Sequence, residues 1–385
     1  MRIPLKYNLG SLWVRRVGTL MTALGIGLTV AICVIMSALV HGLDSTFIDT
    51  GHANHLIVIR QGSLNEVNSY FSRDLFPVIS LLPGIQRDAA NRPLTSGEII
   101  VVISHPRQTG DPSNILVRGV EDAAFQLRPE IRIVQGRNIR PGLKELLVSL
   151  PISRRFQNMT LGSNFTMARS EWKVVGIFDS GGTAYDSEIW GDYHDVAGDW
   201  DRPIYSSILI AAEDPIAAKA LQNRIADDRR IHLQAMSQQE YFRNQTISSI
   251  GLKALGTFIA MIMGIGSCFA AMNMMYATVM SRTREVATLR TLGFGRFSIL
   301  SSFLVESMIL ASLGGLLGCL MALPMHGVST GTANFSNFSE ILFHFRITPQ
   351  ILLRGMVLAL TLGFLGGLLP ARRASRIRLL DALRD

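Results

Sequence analysis

His52 and His55 stand three residues apart. On a helix that spacing brings both imidazoles to one face, where they could begin a metal site. Such a site needs further ligands, and none is grouped with them, so solvated histidines are the plainer reading. Cys33, Cys268 and Cys319 all lie in apolar stretches, which excludes a disulfide scaffold and a cysteine-ligated zinc module and leaves three small side chains packed among apolar neighbours. The chain has no H-E-x-x-H, C-x-x-C or G-x-S-x-G, so zinc hydrolysis, dithiol redox chemistry and a serine nucleophile have no sequence support. It has no G-x-x-x-x-G-K-[ST] either, so any ATPase is expected to be a separate polypeptide. No catalytic residue and no metal ligand is assigned.

Two features carry more weight. Glu306 lies about nine residues into an apolar run, where an unpaired charge costs roughly 2.5 to 3.5 kcal/mol. It must face protein, water or a cationic partner, in a structural role or in a proton relay. Residues 282–293 read R-T-R-E-V-A-T-L-R-T-L-G, a helical stretch with Val286, Leu289 and Leu292 at three-residue spacing. Arg282, Arg284, Glu285 and Arg290 spread around that stripe, and Gly293 is placed to end it. A helix this short is marginal alone and needs a surface, either the membrane or a cytoplasmic partner on which it docks.

The elements that hold these residues follow from composition. Of 385 residues 48% are hydrophobic and 17% charged, a membrane-type balance against a soluble average near 25% charged. Uncharged runs at Val17–Leu43 and Ala254–Ser281, a run at Phe297–Leu323 carrying Glu306, and a shorter one at Ile351–Leu369 with Arg354 at its start are each long enough to cross about 30 Å of hydrocarbon. The first run is too long for a signal peptide, and Ala38-Leu39-Val40-His41 makes a poor cleavage site. The expected order is a segment 1–16, spans 17–43, 254–281, 297–323 and 350–370, a loop 282–296, a short loop 324–349 and a tail 371–385. Residues 44–250 form a large domain between the first two spans.

Charge sets the orientation. The N-terminal segment, the 282–296 loop and the tail together carry 13 Lys and Arg against three acids, whereas the loop between spans three and four has only Arg346 outside the apolar runs. Both termini and the 282–296 loop are therefore expected in the cytoplasm. Residues 42–250 hold 21 basic and 24 acidic residues, so the net charge of +8 sits beside the membrane and gives no support to a nucleic-acid partner. Glycines at 25, 27, 264, 266, 314, 315, 318, 363, 366 and 367 let helices approach closely, with Gly314, Gly315 and Gly318 as candidates for packing or dimerisation.

In the outer domain, β-branched runs recur at His55–Arg60, Glu98–Ser104, Asn114–Val120, Glu145–Ser149, Asn164–Ala168, Trp172–Phe178 and Ser206–Ala211. Helical patterns fall at Ser72–Leu82 and Asp214–Ala226. An α+β domain in two lobes results. Gly181–Asp201 reads as a long loop anchored by Trp190 and Trp200, and Ile231–Ile250 as a polar helix running into the second span.

The 282–293 stretch resembles the R-x-R-E-I-x-x-L-R-A-L-G signature of the FtsX-like, or MacB-like, permeases of ABC transporters. Tyr7-Asn8-Leu9 with Arg15-Arg16 resembles that family's entry into span one. Glu306 followed by Ser312-Leu313-Gly314-Gly315 is similar to its third span, and Pro370-Ala371 through Arg384 to its tail, with Leu379 or Leu380 where a proline is usual. Leu161-Gly162 and Trp172–Ile177 resemble the MacB-like periplasmic core. Glu188-Ile189-Trp190-Gly191-Asp192 resembles DevC-type permeases that lack a fused ATPase.

The resemblance implies an α-helical membrane protein with four transmembrane helices and an α+β extracytoplasmic domain inserted between helices 1 and 2. It implies a non-catalytic permease subunit in the bacterial inner membrane. An ATPase subunit binding ATP and Mg would dock at the 282–293 helix, with a second permease copy and a periplasmic membrane-fusion adaptor as further partners beside membrane lipid. Export or mechanotransmission is the implied work, with lipoprotein release or control of a cell-wall hydrolase as alternatives. A transmembrane sensor is the alternative of another class; it should carry a cytoplasmic kinase, cyclase or HAMP-like coil.

Overall fold

The computed structural model describes residues 16–228, 230–245, 249–333 and 339–376. Expectations for the segment before Arg16, for the tail beyond Arg376 and for the 246–248 junction lie outside the described residues. The chain divides into two compact units, one of Met1–His41, Gly251–Val328 and Phe345–Asp385, the other of Gly42–Ile250 and Ser329–His344.

The described chain opens with the 33-residue helix α1 (Arg16–Ile48). At 1.5 Å per residue it is about 50 Å long, and no proline or charge interrupts it between Val17 and Leu43. Twelve strands follow: β1 (His55–Arg60), β2 (Phe71–Ser72), β3 (Thr95–Pro106), β4 (Pro112–Val120), β5 (Arg132–Gly136), β6 (Glu145–Ser149), β7 (Asn164–Met167), β8 (Ser170–Asp179), β9 (Glu188–Asp192), β10 (Ile204–Tyr205), β11 (Ser207–Ala211) and β12 (Leu233–Ser237). The helices among them are α2 (Leu75–Ser80), α3 (Ala123–Leu127), α4 (Leu150–Arg155), α5 (Tyr193–Asp199), α6 (Pro215–Asp227) and α7 (Gln238–Gln245).

Ten of these strands make one sheet in the order β12-β1-β11-β3-β4-β9-β6-β8-β5, with β7 paired to β8. The twelve-residue β3 joins its halves, because Thr95–Glu98 pair with β11 and Ile99–Pro106 with β4. Strands β6, β9 and β11 are buried along their whole length, which is why β6 and β11 read as continuous runs rather than alternating ones. Leu56, Val58, Ile99, Val117, Val148, Trp172 and Ile208 belong to one apolar core. Helix α6 starts where Asp214 Oδ1 accepts the Ala217 N–H at 2.7 Å, with Pro215 at the first helical position.

The structure differs from the sequence reading in several places. Within Gly181–Asp201, expected as a loop, a 3-10 turn (Ala184–Ser187), β9 and α5 form, and β9 is an inner strand parallel to β4 and antiparallel to β6. Glu188, Gly191 and Asp192 disguise it, since polar residues and glycine are depleted in strands. Ile231–Ile250, expected as one helix, opens with β12, which pairs with β1, before α7 begins. The helix expected at Ser72–Leu82 is confined to α2, with Ser72 in β2 instead.

The remaining elements are α8 (Ser249–Ser281), α9 (Thr283–Thr291), α10 (Arg296–Ala322), the antiparallel hairpin β13 (Ser329–Ala333) and β14 (Glu340–His344), and α11 (Pro349–Ser375). Among the described residues, four helices are long and apolar enough to cross a membrane: Arg16–Ile48, Ala254–Ser281, Arg296–Met325 and Pro349–Ser375. The hairpin, in the stretch expected as a short loop, belongs to the α/β unit.

Candidate functional site

Helix α9 follows α8 after a single residue, Arg282, whose backbone leaves the helical path at φ −114° and ψ 18°. Gly293 ends it at φ +91°, a left-handed conformation that favours glycine. The Gly293 N–H reaches Arg290 O at 3.2 Å and the Phe294 N–H reaches Leu289 O at 3.1 Å, a pair of bonds that satisfies the last carbonyls.

One face of α9 is taken up by the helical unit itself. Val286 and Ala287 are buried, and Val286 belongs to an apolar cluster with Met275, Val279, Ile299, Phe303, Ala371 and Ala374. The expected stripe therefore divides: Val286 faces inward, Leu289 is half-buried and Leu292 is 66% exposed. Arg284, Glu285, Thr288 and Gly293 are exposed and Arg290 is half-buried.

Arg282 and Glu306 meet. Arg282 Nη1 donates to Glu306 Oε2 at 3.0 Å, Arg282 Nε donates to Glu285 Oε2 at 2.9 Å, and the guanidinium lies 5.5 Å from the centre of the Phe303 ring. Both members of the Arg282–Glu306 pair are buried, so the carboxylate that is costly in hydrocarbon is held by a cation at the turn into α9. Sequence reasoning required a partner for Glu306 without finding it. The available signal was an arginine opening the 282–293 stretch, on the element next to the one carrying Glu306.

The glycines of α10 lie against other helices of the same chain. A Cβ on Gly314 would come within 2.9 Å of Ala23 O, and one on Gly318 within 2.4 Å of Gly27 O. A Cβ on Gly315 would stand 2.8 Å from Ala359 Cβ on α11. These three positions serve packing within the chain.

Elsewhere, His52 Nε2 stands 3.2 Å from Glu130 Oε2, and the His52 and His55 rings are 4.8 Å apart. Among the described residues no group of three or more His, Cys, Asp or Glu is placed to hold a metal ion. Cys33, Cys268 and Cys319 are half-buried free thiols. A buried charged network, unread in the sequence, lies inside the α/β unit. Arg118 donates to Glu66, Glu98 and Glu188, and Arg128 donates to both oxygens of Glu98, at 2.6 to 3.0 Å. Tyr241 of α7 donates to Glu66 Oε2 at 3.4 Å, and Gln238 Nε2 donates to Tyr185 Oη at 2.7 Å. Glu98 opens a run that reads as apolar and Glu188 lies in a stretch that reads as a loop, so nothing in the pattern marks their partners.

Four apolar helices, a separate α/β unit and a short helix pinned at the residue before it are the parts of a helical membrane permease. The profile of the MacB-like periplasmic core domain matches residues 19–228, and that of the FtsX-like permease C-terminal region matches residues 256–379. The chain belongs to this MacB- and FtsX-like family of ABC transporter permeases. It is 25% identical over 404 residues to the macrolide export ATP-binding/permease protein MacB of Nitrosomonas europaea, covering 95% of this chain and 56% of that protein. It is 27% identical over 297 residues to MacB of Pasteurella multocida, covering 70% of this chain and 43% of that protein. The chain thus spans about half the length of these MacB relatives. An uncharacterized ABC transporter permease of Bacillus subtilis, YvrN, is 25% identical over 296 residues, with 70% of this chain and 69% of that protein covered. Among solved structures, the periplasmic region of MacB from Actinobacillus actinomycetemcomitans is similar at a TM-score of 0.39 and 13% identity, covering 52% of this chain and 95% of that one. The extracellular domain of the ABC-type transporter YknZ is similar at a TM-score of 0.37 and 14% identity, covering 48% of this chain and 100% of that one.

Proposed function

We propose that this chain is the non-catalytic permease subunit of an ABC transporter. ATP bound with Mg on a partner ATPase is hydrolysed there, and α9 passes the resulting motion into the spans and so to the α/β unit, for export or mechanotransmission. One observation carries this reading. Helix α9 is fastened from within by the Arg282–Glu306 pair and by Val286 and Ala287, while Arg284, Glu285, Thr288 and Leu292 stay exposed. A buried ion pair at the turn gives a push on the exposed face a stiff path into α10. The exposed charges can hold a partner in register, and Leu292 offers it an apolar contact.

The chain is then a multi-pass protein of the bacterial inner membrane. The surplus of arginine at the N-terminal segment, the 282–296 loop and the tail supports cytoplasmic termini, with the α/β unit outside. A second permease copy and a periplasmic adaptor complete the assembly. Macrolide export, which the names of the MacB relatives carry, is one form of such work.

Purification of the chain with the products of neighbouring genes tests this. An ATPase should co-purify and its ATP hydrolysis should depend on the chain; if none associates, the reading fails. Arg284→Glu should weaken that association about tenfold, or about 1.4 kcal/mol, with membrane insertion unchanged. Unchanged association would remove the docking role of α9.

A further inference from the structure

The β13–β14 hairpin comes between α10 and α11 in the chain, but its packing partners lie in the α/β unit. Ile341, Leu342 and Phe343 of β14 are all buried, and the Leu342 N–H donates to Ser187 Oγ at 2.8 Å. Glu340 opens β14, and its side chain is only 3% exposed. A carboxylate so enclosed needs partners, and it has three, from β4, from α4 and from the loop between β3 and β4. Arg107, just past β3, donates to Oε2 from Nε at 2.9 Å and sits 2.8 Å away through Nη2. Ser113 Oγ of β4 donates to the same oxygen at 2.7 Å, and Arg155 Nη2, the last residue of α4, donates to Oε1 at 2.8 Å. The hairpin itself makes room for the carboxylate: a Cβ on Gly331 of β13 would stand 2.1 Å from Glu340 Oε1.

We propose that Glu340 is the positioning residue of a clasp that fastens the hairpin to the β3–β4 end of the sheet, so that displacement of α10 and α11 is handed to the α/β unit through this ion-paired carboxylate. The proposal rests on the permease reading above and adds a point of force transfer distinct from α9. An apolar hairpin could slide on its seat, because dispersion contacts are non-directional. Three charge-assisted hydrogen bonds to one carboxylate fix register as well as contact. Arg107 and Arg155 are partly exposed, at 34% and 29% of their side chains, so both can turn to water when the carboxylate is removed and the sheet need not unfold.

The test uses the full chain in lipid nanodiscs, alone and with its co-purifying ATPase. Glu340→Ala, Glu340→Gln and Gly331→Ala are compared with the unaltered chain. The glycine variant displaces the carboxylate without changing any charge. In the chain alone, hydrogen exchange at Glu340–His344 should rise at least tenfold in all three variants while β1 and β11 stay protected; unchanged exchange overturns the clasp. With ATPase and ATP, the unaltered chain should show a nucleotide-dependent change in exchange along β3 and β4, and the variants should lose it while still binding the ATPase. A full nucleotide response in Glu340→Ala overturns this inference alone. Failure of the unaltered chain to bind any ATPase overturns the permease reading, and this inference with it.

Discussion

At the scale of single residues the chain places charge where it is expensive and pays by pairing. Arg282 and Glu306 illustrate it, being buried 3.0 Å apart. Removing either takes a buried charged partner from the other, so the single losses should exceed their share of the double loss. A cycle of Arg282→Ala, Glu306→Ala and the double variant, read by thermal unfolding in detergent, should give a coupling of about 1 to 3 kcal/mol; zero coupling would mean the pair does not hold α9. His55 gives a different prediction. Burial, with the nearby His52 and Arg128 charges adding to it, pulls its imidazole down to about 4. A group depressed in the folded state binds protons more readily when unfolded, so its contribution to stability is full above about 6.5 and is lost as the pH falls toward 4. His52 acts in the opposite sense, because its hydrogen bond to Glu130 raises it. Exchange protection of β1 should fall between pH 6.5 and 4 in the unaltered chain, and His55→Phe should flatten that slope. An equal slope in both would assign the pH response to other groups.

At the scale of elements, much was legible. The four apolar runs lie within α1, α8, α10 with the 3-10 turn that follows it, and α11, because an uninterrupted hydrophobic stretch of that length has few other solutions. The seven β-branched runs coincide with β1, β3, β4, β6, β7, β8 and β11 apart from one or a few end residues. Strand β9 escaped because its polar ends conceal an inner strand whose neighbours are far away in sequence. β12 escaped because Leu233–Ser237 has little apolar alternation and forms by pairing with β1. For α9 the sequence located the helix, its glycine stop and its charges. It could not say which apolar residues face inward, since that depends on Phe303, Ile299 and Ala374 in other helices. Leu289→Pro should break α9 at a cost of about 3 kcal/mol. If α9 docks an ATPase as proposed, binding in a pull-down should be lost while the four apolar helices still insert; retained binding would count against α9 as the dock.

At the scale of the whole molecule, the close crossing of α1 with α10 decides what kind of defect a mutation produces. The Cβ of any residue larger than glycine at 318 meets Gly27 O and Val30 Cβ, and Gly314 stands equally close to Ala23 O and Ile26. Gly318→Leu should lower the yield of monodisperse protein extracted from membranes at least severalfold, read by size-exclusion chromatography, before any partner is added; a normal yield would show that the helices can separate there. Small residues at these positions are easily mistaken for a seam between subunits. Since these contacts close inside a single polypeptide, a genetic screen that scores loss of function will collect substitutions at 314 and 318 as lesions of maturation, because they upset the packing of the chain on itself.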